Sequence, residues 1–308
     1  VVCDAAGEVV AAWGDPEQII LPRSAFKMIQ ALPLVESGAA DAAGLSDRHL
    51  ALACASHQGA PVHTDLVRRW LADLGLSDDL RCGPEAPRDE ETLHAMIRAF
   101  GAPAQVHNNC SGKHAGFLTL ARHIGAGPDY IDPDHPVQRA VREAVEAMTG
   151  APSPGHAIDG CSAPNFAVTL HGLARAMARF ATAEEQGTSA RQRAAARLVS
   201  AMAAHPLLVA GEGRACTRLM RAMGGRAAVK TGAEGVFVAI LPEQRLGIAV
   251  KIADGASRAS ECVIATLLAR FGALDPADPA VRAYSDAAIL NRRGIEVGAI
   301  RPAATLRS

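Results

Sequence analysis

Net charge is nearly absent from this chain. Its 31 Lys and Arg stand against 32 Asp and Glu over 308 residues. Without a basic excess there is no electrostatic footprint for a nucleic acid or an anionic membrane surface, and neither partner is expected. No apolar run approaches the ~20 residues needed to span a bilayer. The first residues, Val1-Val2-Cys3-Asp4, lack an initiator Met and do not resemble a secretory signal. Seven cysteines, an odd number in a chain this long, read as reduced thiols rather than a disulfide framework, which points to the cytoplasm. There is no internal repeat and no low-complexity linker. The length and the 49 % apolar composition suit one large domain or two intimate lobes.

Lysine is scarce as well. Only Lys27, Lys113, Lys230 and Lys251 occur, and arginine carries the rest of the positive charge. Arginine is effectively always protonated, whereas a buried lysine can lose its proton and act as a base or a ligand. In an arginine-biased chain, each lysine is a candidate for a position where arginine would not serve. Three of the four fall inside local motifs.

Residues 1–20 alternate like a short β-hairpin turning near Asp4 to Gly7. A helix is expected from Ser24, with Phe26, Met28, Ile29, Leu32 and Leu34 on it and Pro33 bending or ending it. Residues 46–180 read as mainly helical. Ser46 caps a helix from Asp47, Asp134-His135-Pro136 opens one that closes at Gly150, and Pro164 precedes another. Three antiparallel strands follow, at 227–230, 235–240 and 246–251, and then a helix from about Ser257 to Phe271. Strands at both ends around a helical middle predict an α+β fold, an α/β sandwich with an antiparallel sheet from both termini. The sheet lobe would comprise 1–22 and about 226–308, the helical lobe about 23–225, with a site in the cleft between them.

Arg23-Ser24-Ala25-Phe26-Lys27 is a Ser-x-x-Lys at a helix start. Residues i and i+3 share a helix face, so the amine of Lys27 is expected to reach the hydroxyl of Ser24. Ser24 is equally acceptable as an N-cap. Lys230-Thr231-Gly232 closes a strand, and Gly232 could supply no more than the turn. Cys54-Ala55-Ser56-His57-Gln58-Gly59 closes an apolar helix, which offers Ser56 as a partner for Lys230 and His57 as a possible base. His107-Asn108-Asn109-Cys110-Ser111-Gly112-Lys113-His114 and Asp159-Gly160-Cys161-Ser162-Ala163-Pro164 are polar turns, each leading into a predicted helix. Cys110 and Cys161 are compatible with a disulfide, with two free thiols, or with ligation of a soft metal such as zinc, Lys113 or a His supplying a further donor.

Taken together, these motifs resemble the class 3, rhizobial-type L-asparaginases, the asparaginase II family, over nearly the whole chain. The Asn-Asn-Cys-Ser-Gly-Lys-His stretch at 108–114 is the most specific of them. The resemblance implies a serine β-lactamase-like fold and two Ser–Lys tandems, Ser24 with Lys27 and Ser56 with Lys230. It implies zinc held by Cys110, Lys113 and Cys161, a water completing the shell and Asp159 orienting that water. Arg23 would steady the nucleophile region, His114 would lie near the metal, and Cys216 matches a family cysteine without an assigned role. The expected activity is hydrolysis of L-asparagine by a homodimer, with Ser24 favoured as nucleophile because a helix N-terminus helps its alkoxide. Three other readings remain at this level. They are a penicillin-recognising hydrolase, a glutaminase of the same fold, and a zinc-containing protein that binds an amino acid without consuming it.

Overall fold

The apolar runs near the two ends of the chain find each other. The computed structural model describes residues 1–307. Its strands are β1 (Val2–Cys3), β2 (Val9–Ala11), β3 (Ile19–Ile20), β4 (His156–Ile158), β5 (Pro164–Phe166), β6 (Val168–Thr169), β7 (Ala228–Thr231), β8 (Val236–Leu241), β9 (Leu246–Lys251), β10 (Ala287–Leu290) and β11 (Glu296–Ile300). Five of them form the main sheet in the order β2-β1-β9-β8-β7, antiparallel throughout. The expected hairpin turns where the sequence placed it. Gly7 N donates to the Asp4 carbonyl, and the Asp4 carboxylate accepts from Ala6 N and Glu8 N.

Every residue of β8 is buried, which explains why its sequence is continuously apolar instead of alternating. Helices Leu170–Ala181 and Ser257–Arg270 pack on β8 and β9 and cover the sheet. A single buried cluster joins Val2 and Ile248 of the sheet to Leu52 and Val145 of the helical middle. The class is α+β, as the patterning predicts. Among the described residues no helix is long and apolar enough to cross a membrane.

Several local signals act as read. Ser46 and His49 bond reciprocally at the start of Asp47–Ala53, and Gly150 ends Pro136–Thr149 with φ at +80°. The helix expected from Ser24 is instead broken into a 3₁₀ turn, Arg23–Phe26, and two short helices, Lys27–Gln30 and Leu32–Glu36. Pro33 lacks an N–H and crowds the carbonyl four residues back, so the ladder is interrupted just before it. The helix expected after Pro164 is also displaced. Pro164–Phe166 is β5, paired with β4, and the helix starts only at Leu170, where Thr169 Oγ1 accepts from Gly172 N at 2.9 Å. The β10–β11 ribbon has no counterpart in the sequence reading. Its Leu290 and Val297 are exposed, so no buried alternation marks it.

Candidate active site

Two glycines let three segments meet. A Cβ on Gly112 would lie 2.3 Å from the Leu52 carbonyl oxygen. Its absence lets helix Ser111–His123 close onto the end of Asp47–Ala53 and brings the Asn109–Cys110 turn against Ser56–His57. His57 N then donates to the Asn109 carbonyl at 3.2 Å, and Ser56 N to the Val209 carbonyl at 2.9 Å. A Cβ on Gly232 would lie 2.8 Å from the Pro22 carbonyl oxygen and 3.0 Å from Ala25 N. Gly232 therefore serves close approach, setting the end of β7 against the turn that carries Ser24.

The outcome is a cleft of about 540 Å³ lined by Arg23, Ser24, Ser56, Cys110, Asp159, Cys161, Arg214 and Thr231, among others. At its floor Ser56 Oγ lies 2.9 Å from Lys230 Nζ and 3.1 Å from Lys27 Nζ. Both lysines are fully buried. Lys27 Nζ also donates to the Ala55 carbonyl and, at 3.1 Å, to Cys110 Sγ, so its three acceptors match the three donors of an ammonium. The expected bond between Ser24 and Lys27 is not formed. Ser24 faces the cleft, and its hydroxyl has no hydrogen bond among the described residues. With the helix beginning only at Lys27, the two residues lie on different kinds of turn, and the amine is drawn to Ser56.

Lys230 differs from Lys27 in its bonding. Besides Ser56 it has one acceptor, the Thr231 carbonyl at 2.7 Å. Burial, with the nearby positive charge of Lys27, lowers its pKa from 10.5 to about 7. A neutral amine there gives one N–H to Thr231 and turns its lone pair to the Ser56 O–H. The Thr231 N–H is taken by Cys216 Sγ at 3.3 Å, which gives that cysteine a structural place behind the strand.

A second buried group lies along the cleft. Lys113 Nζ is 3.0 Å from Cys161 Sγ, and Cys110 stands beside the same sulfur. The Cys110 thiol, Lys113 and His114 hold Cys161 as the thiolate, while the same contact with Cys161 and its burial push Cys110 up. Burial alone would lower Lys113, but the two sulfurs outweigh it and raise it. His114 Nδ1 lies 3.0 Å from Tyr130 Oη, which itself accepts from Arg81 N at 2.8 Å. The single phenolic proton therefore goes to Nδ1, leaving the imidazole proton on Nε2. Burial lowers His114 to about 4, so the ring is neutral. Its buried Nε2–H is left for the Cys161 sulfur. Two sulfurs, one of them already a thiolate, and an amine, all buried, are a donor set that fits zinc.

Asp159 ties the two groups together. Arg23 Nε and Nη2 donate to its Oδ1 at 3.0 and 2.7 Å, and Asn165 Nδ2 donates to its Oδ2 at 3.1 Å. Arg23 also pairs with Glu234. The backbone here is strained: Arg23, Ser162 and Glu234 have φ at +53°, +67° and +59° without being glycine.

His57 is unavailable as a base. Nδ1 accepts from Gly59 N at 3.1 Å, so Nε2 carries the proton, 2.9 Å from Ser111 Oγ. Burial and the stacked His63 lower its pKa well below 6.5. It braces the Ser56 turn against the Ser111 helix. Glu85, Arg88 and Arg214 line the cleft without having been singled out from sequence. Glu85 accepts from Asn109 N and Nδ2 at 3.1 and 2.8 Å and pairs with Arg88, an arrangement no local spacing announces.

No curated protein matches the chain. Among solved structures it is similar to a β-lactamase from Mycobacterium bovis, at 13 % identity over 88 % of this chain and 93 % of that one, with a TM-score of 0.45. The L-asparaginase II family model matches residues 1–302, and the chain belongs to that family.

Proposed function

We propose that this member of the L-asparaginase II family hydrolyses L-asparagine to L-aspartate and ammonia with Ser56 as the nucleophile. The observation that carries this reading is Ser56 Oγ, set 2.9 Å from Lys230 and 3.1 Å from Lys27 at the floor of the cleft. A nucleophilic serine needs a base within hydrogen-bond reach, and Ser56 has one while Ser24 has none. Choosing Ser56 departs from the sequence-level preference for Ser24, whose amine partner is engaged elsewhere.

Lys230, with a substantial neutral fraction near pH 7, takes the Ser56 proton as Oγ attacks the side-chain amide carbon. The Lys27 ammonium, 3.1 Å from Ser56 Oγ, stabilises that oxygen as it loses its proton. The C–N bond then breaks, Lys230 returns its proton to the departing nitrogen, and ammonia leaves an ester on Ser56. Water attacks that ester, its proton passing to Lys230, and aspartate departs as Oγ recovers a proton. Ser24 supplies a free hydroxyl to the same cleft. Cys110, Lys113 and Cys161 would hold zinc, which supplies positive charge beside the cleft when bound. Asp159 and Arg23 keep the Cys161 turn at its distance from the Ser24 turn.

The test is ammonia release by purified protein of known metal content, with L-glutamine and a chromogenic cephalosporin in parallel. Selective release from asparagine is expected. Hydrolysis of the cephalosporin with silence on asparagine would overturn the substrate. Silence on all three by folded, metal-loaded protein would overturn the enzyme reading.

A further inference from the structure

The cations around the cleft divide by their partners. Arg23 is held by Asp159 and Glu234, Arg88 by Glu85, and Lys113 by Cys161. Lys27 and Lys230 point at Ser56. Arg214 lines the same cleft, and its guanidinium has no hydrogen bond or ion pair among the described residues.

Its place is fixed by the backbone. Arg214 is the N-cap of helix Ala215–Ala222. The second residue of that helix, Cys216, accepts the Thr231 N–H, so the helix start is clamped to the strand end that carries Lys230. Arg214 is thus held beside the Ser56–Lys230 pair, close enough for its charge to act on Lys230. Glu261 is the acid that feels Arg214, and it forms no ion pair with it. Helix stability does not call for this residue. A cation at a helix N-terminus opposes the macrodipole, and its side chain caps no backbone N–H. An unpaired, half-buried guanidinium beside a nucleophile is costly for the free protein, and an anion delivered by a ligand would offset that cost.

We propose that Arg214 recognises the α-carboxylate of the substrate and restricts the cleft to amides of free amino acids. This rests on the amidohydrolase reading above. The planar fork of a guanidinium matches a carboxylate through two parallel N–H donors, a geometry lysine cannot reproduce. A substrate so anchored has its α-carbon fixed, which leaves the side-chain amide to reach Ser56. An asparaginyl residue inside a peptide has no such carboxylate and, like an α-ester, binds without this anchor.

The experiment compares wild type, Arg214→Gln and Arg214→Lys on L-asparagine and on its α-methyl ester, whose side-chain amide is unchanged. For Arg214→Gln, the KM for asparagine should rise ~10- to 100-fold, the loss expected for a charge-assisted pair, with kcat within about threefold. KM for the ester should stay at the wild-type value, and Arg214→Lys should recover part of the loss. A purely structural role would raise KM for both substrates alike, and that result, or no change for either, overturns the assignment. Calorimetric binding of L-aspartate needs no turnover and separates this inference from the reading beneath it. If wild type hydrolyses nothing, aspartate binding that weakens ~10- to 100-fold in Arg214→Gln still supports the carboxylate site. Equal affinity in the two proteins, or no aspartate binding by either, overturns it.

Discussion

Two groups of buried amines lie along one cleft, and their surroundings differ in sign. Around Ser56, Lys27 and Lys230 share a neutral hydroxyl, with no carboxylate against either amine among the described residues and only the Cys110 sulfur beside Lys27. Around Cys161, Lys113 meets a thiolate, with a second sulfur beside it. Burial is nearly the same for all three lysines, so burial alone does not decide what a lysine does here. Where burial is joined by a second amine, Lys230 is pushed toward the neutral base, to about 7. Where sulfur supplies negative charge, Lys113 is pushed the other way, and its proton leaves only if something more positive takes its place. On the proposed reading, the first group would move a proton and the second would hold a cation.

The sharpest way to break that contrast is to remove the hydroxyls. Ser56→Ala should lower kcat by ~10⁴-fold or more, as loss of a nucleophile does, while Ser24→Ala should cost less than ~100-fold. The reverse order in steady-state ammonia assays would return the nucleophile to Ser24 and leave Lys230 an assisting role. Next in size is the sulfur group. Purified wild type should carry zinc near one equivalent by elemental analysis, and Cys161→Ser should lose most of it, with binding weakened at least ~100-fold. Zinc content unchanged by that substitution would dissolve the distinction between the two groups. The smallest effect is one of pH. Because protonated Lys230 cannot accept the Ser56 proton, kcat/KM should fall as pH drops through about 7 and level off above it. A flat profile from pH 5 to 9 would mean that Lys230 is not the base.

Much of this was legible in the sequence, and what was not had a physical reason. The strands at 227–230, 235–240 and 246–251 could be placed to within about a residue, because a buried strand leaves a dense apolar signature. The motifs around Cys110 and Lys230 stood out because lysine is rare here, and the fold brings them, with Ser56 and Cys161, to one cleft. The partner of Lys27 was not legible. Spacing within Arg23–Lys27 suggested Ser24, but it cannot report that a 3₁₀ turn separates the two and that Lys27 bonds to Ser56. Nor does His57 reveal from its neighbours in sequence that Gly59 and Ser111 occupy both ring nitrogens. Arg214 was hidden for the opposite reason to lysine: in a chain so rich in arginine, one more carries no compositional signal.

One feature of the sheet bears on how the molecule comes into being. Strand β1 is seated between β2 and β9, with Val2 opposite Ile248. Such a pairing closes everything between Val2 and Ile248 into a loop, and long-range β pairings are slow because that closure must precede any gain from contact. During synthesis the first strand must wait, its inner position in the sheet unfilled, until the ribosome has delivered β9. Lys230 is made late as well, on β7. A ribosome-bound chain released short of Ile248 would carry Ser56, Cys110 and Cys161 and yet lack a closed sheet to hold them in register. The cleft is therefore assembled only after β9 has been made, and chains cut short of it should be inactive, aggregation-prone fragments instead of partial enzymes.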